Sequence, residues 1–323
     1  MRVIRITTLT AAVLLAALAA VYAQDEDAVS GASAFRPEEA TQAVADPEPL
    51  RLGQSEIHIT WRGTYTRAQK NKLRDWQQAV AETMSLLHGE LPRPAMRITL
   101  HKTPAAEPVP FARVIRQNPQ GVYFYVNPEY PVEDFVNDWT AYHEFSHLFI
   151  PWPGRDDIWF SEGLASYYQN ILQWRAGLLS EQEAWQKLYE GFERARADNE
   201  NSNLTLAELS PVMGDKRAFM RVYWTGALYF VEADTALRAA SDNRQSLDTI
   251  LRSFGECCLT DKRRWKGMDI AREFDRISNT DIFVPLYRRY ASTNAIPDYA
   301  LVLAPAGVRI ENGRVILEST PER

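Results

Sequence analysis

Two histidines four residues apart, in a stretch otherwise rich in large apolar residues, constrain this chain more than any other feature. Residues 143–147 read His-Glu-Phe-Ser-His, with aromatic and aliphatic side chains on both flanks. On a helix, positions i and i+4 project from one face. Two buried imidazoles placed in this way can share a tetrahedral Zn²⁺, whereas two unpaired core histidines would leave polar groups without partners. The spacing therefore predicts a metal-binding helix that contains His143 and His147.

A third ligand and a base complete the predicted site. Glu144 lies between the histidines, where it can take a proton from a zinc-bound water and later pass it to a leaving amine. Glu162 follows His147 by 15 residues, after a Pro/Gly/Asp turn that can reverse the chain. A solvated carboxylate at a helix start is the alternative for Glu162, but its aromatic and apolar neighbours favour a buried ligand. His143, His147 and Glu162 would supply the three protein ligands that a catalytic zinc needs.

These motifs resemble those of the gluzincin metallopeptidases, in particular the aminopeptidase N and glycyl aminopeptidase groups. The segment 159–168, Trp-Phe-Ser-Glu-Gly-Leu-Ala-Ser-Tyr-Tyr, is similar to the second ligand helix of these enzymes. Residues 222–228 are similar to their Y-x-K-G-A segment, and further similarities lie at residues 232–238, 246–248 and 296–299. The resemblance covers roughly residues 120–305.

The resemblance implies a thermolysin-like catalytic domain with one Zn²⁺, in which the phenol of Tyr223 stabilises the oxyanion of the reacting carbonyl. A core aromatic on a helix is the alternative for Tyr223. The lysine that follows this tyrosine in the family is replaced by Thr225, and the turn between the ligand helices is shorter than in aminopeptidase N. The implied activity is hydrolysis of peptide bonds in peptide or protein substrates, by water that Glu144 and zinc activate. An inactive zinc-bearing peptide-binding or scaffold domain is the alternative function.

The residues that support the metal ligands are not assigned by the sequence. The aspartate that thermolysin places four residues after its ligand glutamate is Ser166 here. The hydrogen-bond partner of His143 must therefore come from elsewhere. Asp138, Asp156 and Asp157 are near in sequence, but the last two fit equally well as helix N-caps.

The mode of substrate binding is left open by the residues before the metal helix. The predicted strand 121–127 contains no glutamate, whereas the aminopeptidases place one there to hold the free amine of the substrate. Endopeptidase and aminopeptidase action therefore both remain open. We expect this strand to pair with a substrate backbone, which requires no particular side chain. Glu129 is a candidate amine anchor, and Arg155 and Arg221 are candidate contacts for a substrate carboxylate.

The N-terminus predicts export. Residues 1–23 combine a basic start, a short apolar run and small residues near a cleavage position, which is typical of a signal peptide rather than a membrane anchor. We therefore expect a periplasmic or secreted protein without a stable membrane span after cleavage. Residues 24–50 are rich in Ala, Pro and acids and predict a flexible linker.

Charge and cysteine usage exclude two classes of protein. The formal net charge is −6, and residues 24–49 contain seven acids against one arginine, so the chain lacks the basic patch that a nucleic-acid partner needs. The two cysteines, Cys257 and Cys258, are adjacent, which excludes a disulfide framework. Two buried thiols are expected, since a bridge would distort the peptide between them.

The apolar pattern predicts an α+β fold with a catalytic domain over residues 51–323. Alternation at 55–61, 95–102 and 121–127 and helical spacing at 66–91 predict a small mixed lobe with a β-sheet, residues 51–130. From Val132 onward the pattern is almost wholly helical, and a hairpin is expected over residues 311–314. We expect the zinc site in the cleft between the sheet lobe and the helical lobe, residues 131–323.

Overall fold

The computed structural model describes residues 43–259 and 263–319. The predicted signal peptide, residues 1–23, and residues 24–42 of the predicted linker lie outside the described residues. The sheet begins before the predicted linker boundary at residue 50, because β1 (Ala43–Ala45) already pairs with a later strand. Asp46 helps to fix this segment: its carboxylate accepts a hydrogen bond from the indole of Trp61 at 2.9 Å and pairs with Arg74 at 3.0 Å. Within the described ranges, no helix is long and apolar enough to cross a bilayer.

Six strands form one mixed sheet, and the predicted strands are confirmed. The strands after β1 are β2 (Leu50–Leu52), β3 (Ser55–Arg62), β4 (Ala95–Lys102), β5 (Phe111–Ile115) and β6 (Gly121–Val126). The order is β1-β3-β4-β6-β5, and β2 also pairs with β3. Strands β3, β4 and β6 run parallel, whereas β5 runs antiparallel to β6 with Val114 opposite Val122. The edge strand β5, which the sequence analysis did not identify, is therefore next to the predicted strand β6.

Helix α1 (Arg67–His88) joins the sheet to the helical part of the molecule. Apolar residues recur every three or four positions, so they form one face. The fully buried members of this face include Leu73, Trp76, Val80 and Met84. The ring of Trp76 lies 5.1 Å from that of Phe124 in β6 and 5.1 Å from that of Phe135 in the helical part. The predicted division into a sheet-rich N-terminal part and a helical C-terminal part is confirmed.

The helical part follows β6 without a further strand until residue 308 among the described residues. Its α-helices are α2 (Val132–Asn137), α3 (Thr140–Ser146), α4 (Ile158–Arg175), α5 (Glu181–Ala197), α6 (Leu206–Leu209), α7 (Met213–Lys216), α8 (Phe219–Ala240), α9 (Leu247–Cys258), α10 (Gly267–Ser278), α11 (Phe283–Ala291) and α12 (Tyr299–Leu303). Short 3₁₀ segments lie at His147–Phe149, Arg155–Asp157, Ser210–Val212 and Ala304–Ala306. The predicted helix around residues 143–147 is thus α3 continued by a 3₁₀ turn.

Helices α4 and α8 cross in backbone contact at two glycines. A Cβ atom on Gly226 would lie 2.1 Å from the carbonyl oxygen of Trp159, and one on Gly163 would lie 2.5 Å from the Cα of Gly226. No side chain fits at either position unless the helices move apart. This close approach brings together the N-terminal turns of α4 and α8, where Glu162 and Tyr223 lie.

The C-terminal part contains one confirmed and one wrong expectation. The predicted hairpin is formed by β7 (Val308–Glu311) and β8 (Arg314–Leu317), with Glu311 opposite Arg314. The expectation of two buried thiols is wrong: Cys257 and Cys258 form a disulfide, and Cys257 is exposed. Both lie in the last turn of α9, where carbonyls lack intrahelical partners and the backbone can depart from helical geometry.

Candidate metal centre

His143, His147 and Glu162 converge where α3 meets α4. His147 directly follows α3 but keeps helical backbone angles (φ −59°, ψ −22°), so it lies one turn beyond His143. The Nε2 atom of His143 lies 3.2 Å from Oε2 of Glu162, and that of His147 lies 3.6 Å from the same oxygen. All three side chains are buried, and their ligand atoms lie within 4.8 Å of one another. The structure thus gathers two imidazole nitrogens and one carboxylate oxygen around one point.

Hydrogen bonds from α4 hold both imidazoles in this orientation. The Nδ1 atom of His143 lies 2.8 Å from Oε1 of Gln169, and the Nδ1 atom of His147 lies 2.9 Å from Oγ of Ser161. Because an amide oxygen only accepts, His143 donates from Nδ1 and keeps the lone pair on Nε2. Gln169 is the partner that the sequence analysis did not find. It lies seven residues after Glu162, two helical turns along the same face, and this spacing is the signal that could have identified it.

Three pKa values in the cluster are shifted. Burial lowers the pKa of His143, but the hydrogen bond and the negative charge of Glu162 outweigh burial, so the pKa is raised. Burial lowers the pKa of His147 to about 3, so its imidazole is neutral at pH 7, the form in which histidine binds a metal ion. Burial raises the pKa of Glu144 to about 7, and the negative charge of Glu162 adds to this effect. The positive charges of His143 and, to a smaller extent, Arg116 oppose it. A carboxylate with a pKa near 7 is suited to both accept and donate a proton at neutral pH.

Glu144 lies beside the edge strand rather than inside the ligand cluster. Its carboxylate accepts a hydrogen bond from the backbone N–H of Val114 in β5. This N–H therefore points away from β6. In an antiparallel pair, N–H and C=O groups of alternate residues point away from the partner strand, so the backbone of Ala112 faces the same way. The open edge of β5 consequently runs past the side chain of Glu144.

Two aromatic residues border the ligand cluster. Tyr223, near the start of α8, is 7% exposed, and its ring is nearly parallel to that of His143 at a centroid distance of 5.9 Å. Trp139 is 40% exposed and meets the His143 ring edge-on at 5.5 Å. Tyr223 is thus placed beside His143, one of the three candidate ligands. Thr225, two residues later in α8, is buried, with 1% of it exposed.

The other candidate substrate contacts are not brought to the site. Glu129 follows the far end of β6, where its carboxylate accepts a hydrogen bond from Gln69 and lies 3.7 Å from the amine of Lys102. The guanidinium of Arg221 is buried and donates to the carbonyl oxygens of Asn201 and Leu204, so it supports a loop. Glu129 as an amine anchor and Arg221 as a carboxylate contact are therefore wrong.

Three further candidates have structural contacts. Arg155 is exposed and donates to the carbonyl of Pro211 at 3.3 Å. Asp138 accepts from the N–H of Thr140 at 2.8 Å and thereby caps the start of α3. Asp157 accepts from the N–H of Gly267 at 2.8 Å, which joins the start of α4 to α10. Neither aspartate is a hydrogen-bond partner of His143.

The expectation that strand 121–127 pairs with substrate is also wrong. This strand, β6, lies between β4 and β5, so both of its edges are already occupied. A peptide can add to a sheet only at an open edge. The open edge near Glu144 belongs to β5. The segment 111–115, Phe-Ala-Arg-Val-Ile, is the sequence signal that could have revealed this strand, because four of its five residues are apolar.

Comparisons with known proteins support the resemblance. Residues 153–229, which include Glu162 and Tyr223, match the sequence profile of the M61 glycyl aminopeptidase family. An aminopeptidase N family protein from Idiomarina loihiensis aligns with 83% of this chain and 49% of its own, at 14% sequence identity and a TM-score of 0.57. A two-domain M1 zinc metallopeptidase variant bound to L-tryptophan aligns with 80% of this chain and 53% of its own, at 13% identity and a TM-score of 0.50. No curated protein sequence matches the chain.

These matches show a shared fold. The chain spans about half the length of the solved structures that it matches. The resemblance to gluzincin aminopeptidases is confirmed in fold and in the profile of α4 to α8.

Proposed function

We propose that the protein is a zinc-dependent peptidase whose metal is bound by His143, His147 and Glu162. The observation that carries this proposal is the convergence of the three ligand atoms within 4.8 Å in a buried cluster. Two nitrogens and one carboxylate oxygen are a donor set that catalytic Zn²⁺ takes in proteins, with a fourth position left for water or substrate. The Nδ1 contacts to Gln169 and Ser161 suit this role, because a second hydrogen bond fixes the tautomer and ring orientation of a ligating histidine.

Glu144 and Tyr223 carry the proton transfer and charge stabilisation in this proposal. Zinc, when bound, supplies Lewis-acid polarisation of a carbonyl and lowers the pKa of water toward about 7. Glu144 accepts a proton from the attacking water and donates it to the leaving amine, a role favoured by its pKa of about 7 and its position outside the ligand set. The hydroxyl group of Tyr223 donates to the developing oxyanion, which is most effective in a site shielded from water.

The open edge of β5 provides a surface for the substrate backbone. Its outward-facing N–H and C=O groups can form strand-type hydrogen bonds with an extended peptide. Because the N–H of Val114 bonds to Glu144, a peptide added to this edge passes next to the base. The proposed substrate is therefore an extended peptide or an unfolded segment of a protein.

Metal analysis combined with peptide cleavage tests this function. We expect one zinc per chain, and cleavage of a mixed peptide library by the wild-type protein but not by a folded, zinc-loaded Glu144→Gln variant. New peptide termini are located by mass spectrometry. One zinc per chain without any cleavage would instead indicate the inactive peptide-binding domain, and absence of zinc from the wild type would contradict the proposed centre.

A further inference from the structure

The edge strand beside Glu144 carries positive charges and no carboxylate. Residues 111–120 contain Arg113 and Arg116 but neither aspartate nor glutamate. Arg116 donates to the carbonyl of Ile150 at 3.3 Å, which holds it near the end of the metal helix. The strand itself therefore offers guanidinium groups and no carboxylate to the free ammonium group of a peptide bound along β5. Charge on this strand opposes recognition of a peptide N-terminus.

Arg113 lies on the face of the sheet opposite the helices. Side chains alternate along a strand, and Ala112 is buried on the helix side, so Arg113 points to the other face together with Tyr123 of β6. Its guanidinium carbon lies 5.4 Å from the centre of the Tyr123 ring, a cation–π distance. The hydroxyl of Tyr123 is fixed in turn by Nδ1 of His101 at 2.7 Å. Within the part of the chain that the structure describes, Arg113 forms no ion pair.

A strand added to β5 would place one side chain directly across from Arg113. In a sheet, side chains of directly opposite residues lie on the same face with their Cβ atoms about 4.5–5.5 Å apart. Opposite charges in such a pair are favourable, and like charges are unfavourable. A peptide that pairs with β5 in a single register keeps this substrate position at a constant distance from the cleaved bond.

We propose that the enzyme cuts within peptide chains and selects an acidic side chain at the substrate position opposite Arg113. This inference rests on the proposed peptidase function. In this proposal the specificity comes from Arg113 on the edge strand, and the substrate needs no free amine.

Matched peptides test the charge preference. A fluorogenic peptide that the wild type cleaves is prepared with Glu, Gln or Lys at each position around the cut, with a free or acetylated N-terminus. We expect kcat/KM to favour Glu over Lys by about three- to tenfold at a single position. Acetylation should change the rate by less than about twofold, because no ammonium contact is lost. Equal rates for Glu and Lys at every position, or loss of cleavage on acetylation, would overturn the proposal.

Variants separate this specificity from general effects of charge. Arg113→Glu should reverse the preference to Lys at the same position, with a thermal midpoint close to that of the wild type. Arg62→Glu is the matched control, since Arg62 also faces the Tyr123 ring, at 6.0 Å, but lies on the interior strand β3. It should retain the preference for Glu. An unchanged preference in Arg113→Glu would refute the role of Arg113.

Peptide binding by the Glu144→Gln variant distinguishes failure of the inference from failure of the proposed function. Fluorescence anisotropy should rank the Glu, Gln and Lys peptides in the same order as the cleavage rates. If no peptide is cleaved by the wild type but this order appears and reverses with Arg113→Glu, the peptidase function fails and the recognition site stands. If peptides are cleaved without any charge preference, the function stands and the inference fails.

Discussion

Replacing Gly226 by alanine should destabilise the protein and separate the two halves of the candidate site. The added methyl group would lie 2.1 Å from the carbonyl oxygen of Trp159 and 2.8 Å from the Cα of Gly163. Both neighbours are backbone atoms, so the helices α4 and α8 must move apart. Overpacking costs about 1–3 kcal/mol, and this contact belongs at the upper end because no flexible side chain can yield. The gain in helix propensity offsets about 1 kcal/mol, which leaves a net loss of about 2 kcal/mol.

The expected loss can be measured by thermal unfolding. A net change of about 2 kcal/mol lowers Tm by about 4–8 °C in a domain of this size. Displacement of α8 also moves Tyr223 relative to Glu162, so peptide cleavage should fall by at least tenfold in folded protein. Gly214→Ala is the control, because its Cβ would have no neighbour closer than 3.9 Å. This variant should unfold within about 1 °C of the wild type.

A double variant tests whether the loss comes from the helix crossing. Gly163→Ala and Gly226→Ala relieve their clashes by the same separation of α4 and α8, so their effects on the free energy of unfolding should be less than additive. If Gly226→Ala unfolds at or above the wild-type Tm with unchanged activity, the close crossing is not needed and the reasoning is refuted.

The remaining predictions concern the metal ligands, the oxyanion and one buried acid. Gln169→Ala should weaken zinc binding by about 10–100-fold in chelator competition, because His143 loses its orienting partner. Gln173→Ala is the control and should leave zinc affinity unchanged, because the Gln173 side chain donates to the carbonyl of Asn137 at 3.4 Å. Tyr223→Phe should lower kcat by about 10²–10³-fold with little change in KM or zinc content, and a comparable loss of zinc would argue against an oxyanion role. Burial raises the pKa of Asp138 from 3.8 to about 6, and the charge of Glu107 adds to this. The native state therefore binds this proton more tightly than the unfolded state does, and the resulting stability is fully present below about pH 4 and lost as the pH rises through about 6. Asp138→Asn should accordingly raise the free energy of unfolding by about 1–2 kcal/mol at pH 7.5, after allowance for partial exposure, and by little at pH 4; urea unfolding at both pH values checks the difference.

Local spacing allowed much of the fold and the ligand set to be predicted. The positions of His143 and His147 depend on the helical repeat alone. Strand β3 alternates between buried and less buried residues along its whole length, β6 does so after its first residue, and the middle of β4 is buried on both faces. Each of the three was predicted to within two residues of its observed ends. Glu162 and Tyr223 required more than local spacing. Their contact with His143 depends on the crossing of α4 and α8, and the resemblance to a known family supplied that information.

Side-chain partners across helices could not be predicted in the same way. Gln169 meets His143 because α4 turns back against α3, and a sequence without a carboxylate at residue 166 offers no single obvious donor or acceptor. The disulfide between Cys257 and Cys258 depends on backbone geometry at a helix end. The contact of Gln169 is set by tertiary structure and the disulfide by local backbone geometry, and residue type alone specifies neither.

The identity of the edge strand is the non-local property that matters most for substrate recognition. Strand β6 has the stronger alternation of apolar residues, yet strand order places it inside the sheet and leaves β5 at the edge. Neither strand contains an acid, so the absence of an amine anchor follows for both. Only β5, however, places Arg113 beside an added peptide. A peptide along β6 would have met no charged side chain of that strand, so no charge preference was expected. Because the sheet order places β5 at the edge, we expect the site to favour acidic peptides.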